Sequence, residues 1–208
     1  MRIAGILLSG GRSERMGQPK ALLEWHGRTF LSRLVEAGVD AGLDEIVVVT
    51  GIHDALIRSE VDRLSVAIPV RVVFNVDHAR GQLASLLAGL DGVSDVADAV
   101  LMMLVDHPFV RAETIAHLLQ TYRATRAPVV LPTFDERRGH PVLFSGEALA
   151  ALRTTPLEHG ARAVVSAFAD RRVEVPVSDP GVRIDLDTPE DLARVSQLLR
   201  SGELSFPS

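Results

Sequence analysis

The chain has 208 residues, 47% apolar and 24% charged, a balance that buries a core and excludes an intrinsically disordered protein. Net charge is −5 and the basic residues are scattered apart from pairs at 137–138 and 171–172, so nucleic acid is not an expected partner; with no cysteine, disulfides, thiolate chemistry and Cys-ligated zinc are excluded. No apolar run reaches the length of a membrane span or signal-peptide core, and no biased linker divides the chain, which leads us to expect one cytoplasmic domain over 1–199 with a tail at 200–208.

Ile3 to Leu8 is an unbroken apolar run of strand length, suited to a parallel strand covered on both faces. It leads into Ser9-Gly10-Gly11-Arg12-Ser13-Glu14-Arg15-Met16-Gly17-Gln18-Pro19-Lys20. Gly10 and Gly11 carry no Cβ where the chain turns, so backbone N–H groups can converge on an anion, while Arg12, Arg15 and Lys20 supply positive charge. Strand, glycines and cations together point to phosphate. The spacing fits neither a Walker A loop nor the dinucleotide G-x-G-x-x-G. A glycine turn followed by a solvated charged segment is the competing reading.

Thr29 caps an expected helix with Phe30, Leu31, Leu34, Val35 and Gly38 on one face, and Glu45 to Thr50 is a β-branched strand, making a right-handed βαβ unit. A helix around His53 to Leu64 and a strand from Val70 to Phe74 repeat the alternation. After a polar stretch from Asn75 to Arg80, the segment Gly81 to Leu90 reads as a helix beginning at a glycine, whose leucines form a core face and whose Gly81, Gln82 and Ser85 can approach a ligand. Val100 to Val105 is the most apolar stretch and the expected central strand, ending in Asp106-His107-Pro108. Open α/β sheets place their ligands at the carboxyl ends of such strands, although an aspartate here can also serve only as a helix cap.

A helix over Thr114 to Ala124, a strand over Pro128 to Pro132, a polar turn from Thr133 to Arg138 and a strand over Gly139 to Phe144 follow. Short helices at Ser145 to Leu152 and Gly160 to Ala169 and a strand at Arg172 to Val177 lead to Asp185-Leu186-Asp187-Thr188-Pro189-Glu190-Asp191-Leu192. Thr188, Pro189 and Asp191 explain themselves as a capping box. Asp185 and Asp187 do not: two alternating carboxylates before a helix need donors or a cation.

Leu8 to Leu23, Asn75 to Leu90, Asp106 to Pro108, Gly139 to Phe144 and Asp185 to Leu192, in that order, resemble the MobA/MocA-like nucleotidyltransferases, which attach a nucleoside monophosphate to molybdopterin. The resemblance implies a three-layer α/β/α sandwich with a mostly parallel sheet and one reversed strand, in agreement with the alternation read from the residues. It implies that Leu8, Ser9, Gly10, Gly11, Arg12 and Ser13 wrap the triphosphate, that Arg15 and Lys20 neutralise it, and that Asn75, Gly81, Gln82 and Ser85 hold base and ribose. Asp106 matches an Asp-x-Pro motif that binds Mg²⁺, and Asp187, before Asp185, is the expected second contact; His107 fills a variable position. Gly139 to Phe144 and Leu157 to Arg162 look like the MocA-like branch, which implies His140 and Arg162 at the second substrate.

The implied reaction transfers a nucleotidyl group from CTP to a molybdopterin-type cofactor with release of pyrophosphate, for delivery to a molybdoenzyme. Arg15 to Lys20, Gly139 to Pro141 and Gly160 to Arg162 look cytidylyl-like, whereas Ser9-Gly10-Gly11 departs from the Ala-Ala-Gly of some cytidylyl members and leaves GTP open. A sugar-phosphate type nucleotidyltransferase, a dinucleotide-binding oxidoreductase and a non-catalytic cofactor chaperone are the rival readings.

Overall fold

A computed structural model of the chain describes residues 1–11 and 16–201. β1 (Ile3–Leu8) is buried at all six positions, as an unbroken apolar strand must be if both its faces are covered. β2 (Glu24–Trp25) and β3 (Arg28–Thr29) then form a small hairpin that the sequence pattern does not announce, turned through His26 and Gly27 at positive φ. α1 (Phe30–Asp40) starts where expected: Thr29 Oγ1 accepts the Ser32 N–H at 3.0 Å.

β4 (Glu45–Thr50), α2 (Asp54–Val61), β5 (Val70–Phe74), α3 (Gln82–Gly92) and β6 (Ala99–Leu104) continue the alternation. They are followed by α4 (Ala112–Thr125), β7 (Val129–Phe134), β8 (Arg137–Arg138) and β9 (Val142–Ser145). α5 (Gly146–Thr154), α6 (Gly160–Ala167), β10 (Val173–Pro176) and α7 (Pro189–Ser201) complete the described chain. The polar stretch expected as a simple turn at Thr133 to Arg138 contains the end of β7 and all of β8, joined through Asp135 and Glu136 at positive φ.

The main sheet runs β10-β7-β9-β6-β1-β4-β5, with β8 added to β7. β1 lies parallel to both β4 and β6, β4 to β5, and β7 to β10. β9 runs antiparallel to both β6 and β7 and is the reversed strand within that order, and the two-residue β8 at its side is antiparallel to β7. Alternate side chains of β1 and β6 enter opposite faces. Ile3, Leu7, Leu101 and Met103 meet α1, α2, α4 and α7 on one side; Ala4, Ile6, Val100 and Met102 meet α3, α5 and α6 on the other. The result is a three-layer α/β sandwich with two apolar cores. α3 lies especially close to the sheet, because a Cβ on Gly89 would stand 2.5 Å from Ile6 Cγ2. Among the described residues no helix is long and apolar enough to cross a membrane.

Candidate active site

The carboxyl ends of β1 and β6, side by side in the sheet, open into a cavity of about 530 Å³. Leu8, Ser9, Gly10, Gly11, Lys20, Gly81, Gln82, Ser85, Asp106 and Asp187 all line it. Ten side chains or backbone positions singled out in the sequence, from four of its five motif segments, therefore share one space. Arg12, Ser13 and Arg15 lie outside the described residues.

Within the loop, Ser9 is anchored to β4: its N–H and its hydroxyl both donate to the Val49 carbonyl, at 2.9 and 2.8 Å. Its donors hold the loop to the sheet. Gly11 is different, since a Cβ there would meet nothing within 4 Å. The glycine is not demanded by packing and leaves space open on the cavity side of the turn.

On the opposite wall, Gly81 precedes α3 with φ 99° and ψ −177°, a conformation available to glycine alone. It turns the chain so that Gln82 and Ser85, on the first turn of α3, face the cavity, where unpaired N–H groups of a helix start favour anions. Asn75, in contrast, is buried beneath this wall and outside the lining: its Nδ2 donates to Ser85 Oγ at 3.1 Å and its Oδ1 accepts the Asp77 N–H at 2.9 Å. It holds the cavity-facing segment from behind. His78 also lines the cavity, a residue that sequence reasoning missed because a lone histidine in a polar loop carries no pattern.

Two carboxylates 81 positions apart are brought together by a single backbone bridge, in which the Leu186 N–H donates to the Asp106 carbonyl at 2.8 Å. Leu186 is fully buried and faces away from its neighbours, so Asp185 is left exposed and Asp187 turns into the cavity. The capping box then fixes the segment: Asp191 Oδ2 accepts from the Asp187 and Thr188 N–H groups, and the Asp191 N–H returns to Thr188 Oγ1 at 3.2 Å. A motif that is structural by itself thereby aims its neighbour.

Lys20 stands at the head of a short 3-10 turn, Lys20–Leu22, and its Nζ meets Asp187 Oδ1 at 2.5 Å. Asp106 accepts a hydrogen bond from His107 Nδ1 at 2.9 Å. Burial pushes the Asp106 carboxyl up, but that hydrogen bond and the electrostatic pull of its surroundings, Lys20 among them, hold it below the usual carboxylate range. Asp106 is thus an anion at neutral pH.

His140 and Arg162 lie apart from this group, in a neighbouring cavity of about 660 Å³. Gln82 belongs to both cavities, and Arg137, Arg138 and Arg183 join Arg162 in the second. His140 packs edge-on against His107, ring centroids 4.9 Å apart, and its Nδ1 is buried without a hydrogen-bond partner among the described residues. Burial, assisted by the charge of His107 and opposed by Asp106, lowers its pKa to about 4.

No group of three or more His, Asp or Glu side chains able to hold a metal ion occurs among the described residues. A nucleotide-bound Mg²⁺ takes one or two carboxylates from the protein and the rest of its oxygens from phosphate and water. Asp106 and Asp187 in one cavity fit this requirement.

A glycine turn and two carboxylates in one cavity at the carboxyl ends of parallel strands occupy the place where open α/β sheets take their ligands. Residues 5–174 match the MobA-like NTP transferase domain, and the chain belongs to that family. A nicotine blue oxidoreductase from Paenarthrobacter nicotinovorans is 30% identical over 93% of this chain and 96% of its own. A molybdenum cofactor guanylyltransferase from Rhodobacter capsulatus is 28% identical over 97% of this chain and 99% of its own. Among solved structures, Rv0371c from Mycobacterium tuberculosis superposes with a TM-score of 0.77 at 26% identity, covering 95% of this chain and 99% of that one. Rv0371c has also been solved as a complex with manganese, which superposes with a TM-score of 0.71 at 24% identity over 95% and 99% of the two chains.

Proposed function

We propose that this NTP transferase moves a nucleoside monophosphate from GTP to a molybdopterin-type cofactor and releases pyrophosphate. The observation that carries the reading is the meeting of Asp106, Asp187, Lys20 and the glycine turn in one cavity. GTP takes the place that the sequence resemblance gave to CTP, because a relative spanning nearly the whole chain is named a guanylyltransferase and because Ser9-Gly10-Gly11 departs from the Ala-Ala-Gly of some cytidylyl members.

In this reading the triphosphate lies along Gly10 and Gly11, with Lys20 and, from outside the described residues, Arg15 neutralising its charge. The start of α3, at Gly81, Gln82 and Ser85, holds the nucleoside, and the neighbouring cavity holds the acceptor, with Arg162 and its fellow arginines as anion contacts and His140 at its wall. Asp106 and Asp187 would hold a divalent cation, Mg²⁺ or Mn²⁺, which when bound neutralises phosphate charge and acts as a Lewis acid. An oxygen of the acceptor's phosphate attacks the α-phosphorus, the bond from that phosphorus to the β-phosphate oxygen breaks, and pyrophosphate leaves with the electron pair. A phosphate monoester is largely ionised at neutral pH, with a second pKa of about 6, so no general base is required. The chain's residues act by positioning and by charge.

A second reading is favoured by one observation, the oxidoreductase name of the relative at 30% identity. It predicts oxidation of a reduced nicotinamide with a dye-like acceptor and no pyrophosphate. Pyrophosphate release from GTP and CTP, each with molybdopterin and Mg²⁺, separates the two. Release with GTP in excess of CTP is expected; no release with either, together with nicotinamide oxidation, would replace the transferase reading.

A further inference from the structure

Asp106 owes its direction to the residue beside it, at the position that the acidic motif leaves variable. His107 is 8% exposed, and its Nδ1 stands 2.9 Å from Asp106 Oδ1. A carboxylate only accepts, so Nδ1 carries the proton and donates. Asp106 lines the cavity at the carboxyl end of β6 whereas His107 lies outside its lining, so the bond turns Oδ1 towards a ring beyond the cavity wall and leaves Oδ2 as the oxygen open to a ligand. We propose that His107 is a positioning residue that restricts Asp106 to one ligating oxygen and thereby tunes the site to small octahedral cations, Mg²⁺ and Mn²⁺, against Ca²⁺. The inference rests on the reading of Asp106 as a cation ligand and adds to it a determinant of which cation is taken.

The imidazole is held firmly enough for this role. Its backbone N–H closes a turn on the Leu104 carbonyl at 3.1 Å, and its ring packs edge-on against His140 with centroids 4.9 Å apart. Leu34, Met103, Val110 and Ile115 stand around the remaining gap, which is about 10 Å³ and too small for the ring to swing into. The donor is fixed, and the carboxylate is fixed with it. An aspartate free to rotate offers a cation either one oxygen or both. Two oxygens of one carboxylate subtend an angle well below a right angle at the ion, which Mg²⁺, with its near-ideal octahedron, does not accept; Ca²⁺, with a larger and more variable shell, accommodates the pair. Pinning Oδ1 therefore takes a ligand from Ca²⁺ and none from Mg²⁺ or Mn²⁺. Hydrogen-bond partners of a ligating carboxylate act on a metal in this way without touching it.

Two amides separate positioning from packing. The side chain of Asn places its N–H near the position of Nδ1, and that of Gln places it near Nε2. Mn²⁺ bound to the protein is followed by electron paramagnetic resonance, with GTP held below the protein concentration, and Ca²⁺ is added until half of the bound Mn²⁺ is displaced. The quantity read is the ratio of Mn²⁺ to Ca²⁺ affinity. His107→Gln and His107→Phe are expected to lower that ratio about tenfold, and His107→Asn to keep it within about twofold of the unsubstituted chain. A merely structural role weakens both cations together and leaves the ratio where it was. An unchanged ratio in His107→Gln, or a fall in His107→Asn equal to that in His107→Gln, overturns the inference while Mn²⁺ held by the unsubstituted chain keeps the cation reading intact. If the unsubstituted chain retains no Mn²⁺ with GTP, the cation reading itself fails and this inference fails with it.

Discussion

His140 is kept neutral by the site around it, and this has a consequence for stability that can be read without any substrate. Its pKa falls from an ordinary 6.5 to about 4, mainly through burial. Between those values the unfolded chain takes up a proton that the folded chain refuses. Stability is therefore intact above pH 6.5 and is lost as pH falls towards 4, at about 1.4 kcal/mol per pH unit. Urea unfolding in chelator at pH 7 and pH 5 should show the unsubstituted chain losing about 2 kcal/mol more than His140→Gln over that interval. Equal losses would mean that the imidazole is not shielded. Single residues also mark what the sequence could reveal. Lys20 stood out as a cation of the glycine loop, Asp106 as the charge that ends the most apolar run and Asp187 as one of two alternating carboxylates, while His78 and Asp179 did not, because each acquires its role from a segment far away in the chain.

At the level of elements, Asp179 shows such a long-range role. It is 2% exposed, precedes the short turn Pro180–Arg183, and accepts from the Arg111 N–H, the Thr114 hydroxyl and the Gly181 N–H at 3.0, 2.7 and 2.9 Å. A single carboxylate thereby ties the chain after β10 to the start of α4. Asp179→Ala would leave three donors without it, at a cost of about 3 kcal/mol or more. Asp179→Asn, which keeps one carbonyl oxygen, should lose less, and the two urea midpoints check the order. The longer strands were legible from composition because β1, β4 and β6 are buried at every position, so continuous apolar runs mark them. β2, β3 and β8 were not, since two residues cannot display a period of two and the β7–β8 turn uses Asp135 and Glu136 in place of glycine or asparagine. The capping box at Thr188 was legible in full because all its parts are local.

For the whole molecule, the sheet is a platform that gathers segments remote in sequence around one cavity. The order β9-β6-β1-β4 puts β1 and β6 adjacent, and the Leu186 to Asp106 bridge brings in the segment before α7. Such a bridge is invisible to any local pattern, and only the resemblance of the two acidic motifs to one family linked them beforehand. Ligand binding should stabilise the fold accordingly. GTP and Mn²⁺ together, each near one hundred times the dissociation constant of the complex, should add about 2.7 kcal/mol and raise the melting temperature by about 5 to 10 °C. GTP with chelator, or Mn²⁺ alone, should each raise it far less.

The most direct test of the shared site is calorimetric titration of Mn²⁺-GTP into the unsubstituted chain, Asp106→Asn and Asp187→Asn. One complex per chain is expected, with affinity reduced at least about tenfold, or 1.4 kcal/mol, by each substitution. Equal affinity in all three proteins would contradict the account, because the two carboxylates would then lie outside the place where the nucleotide binds.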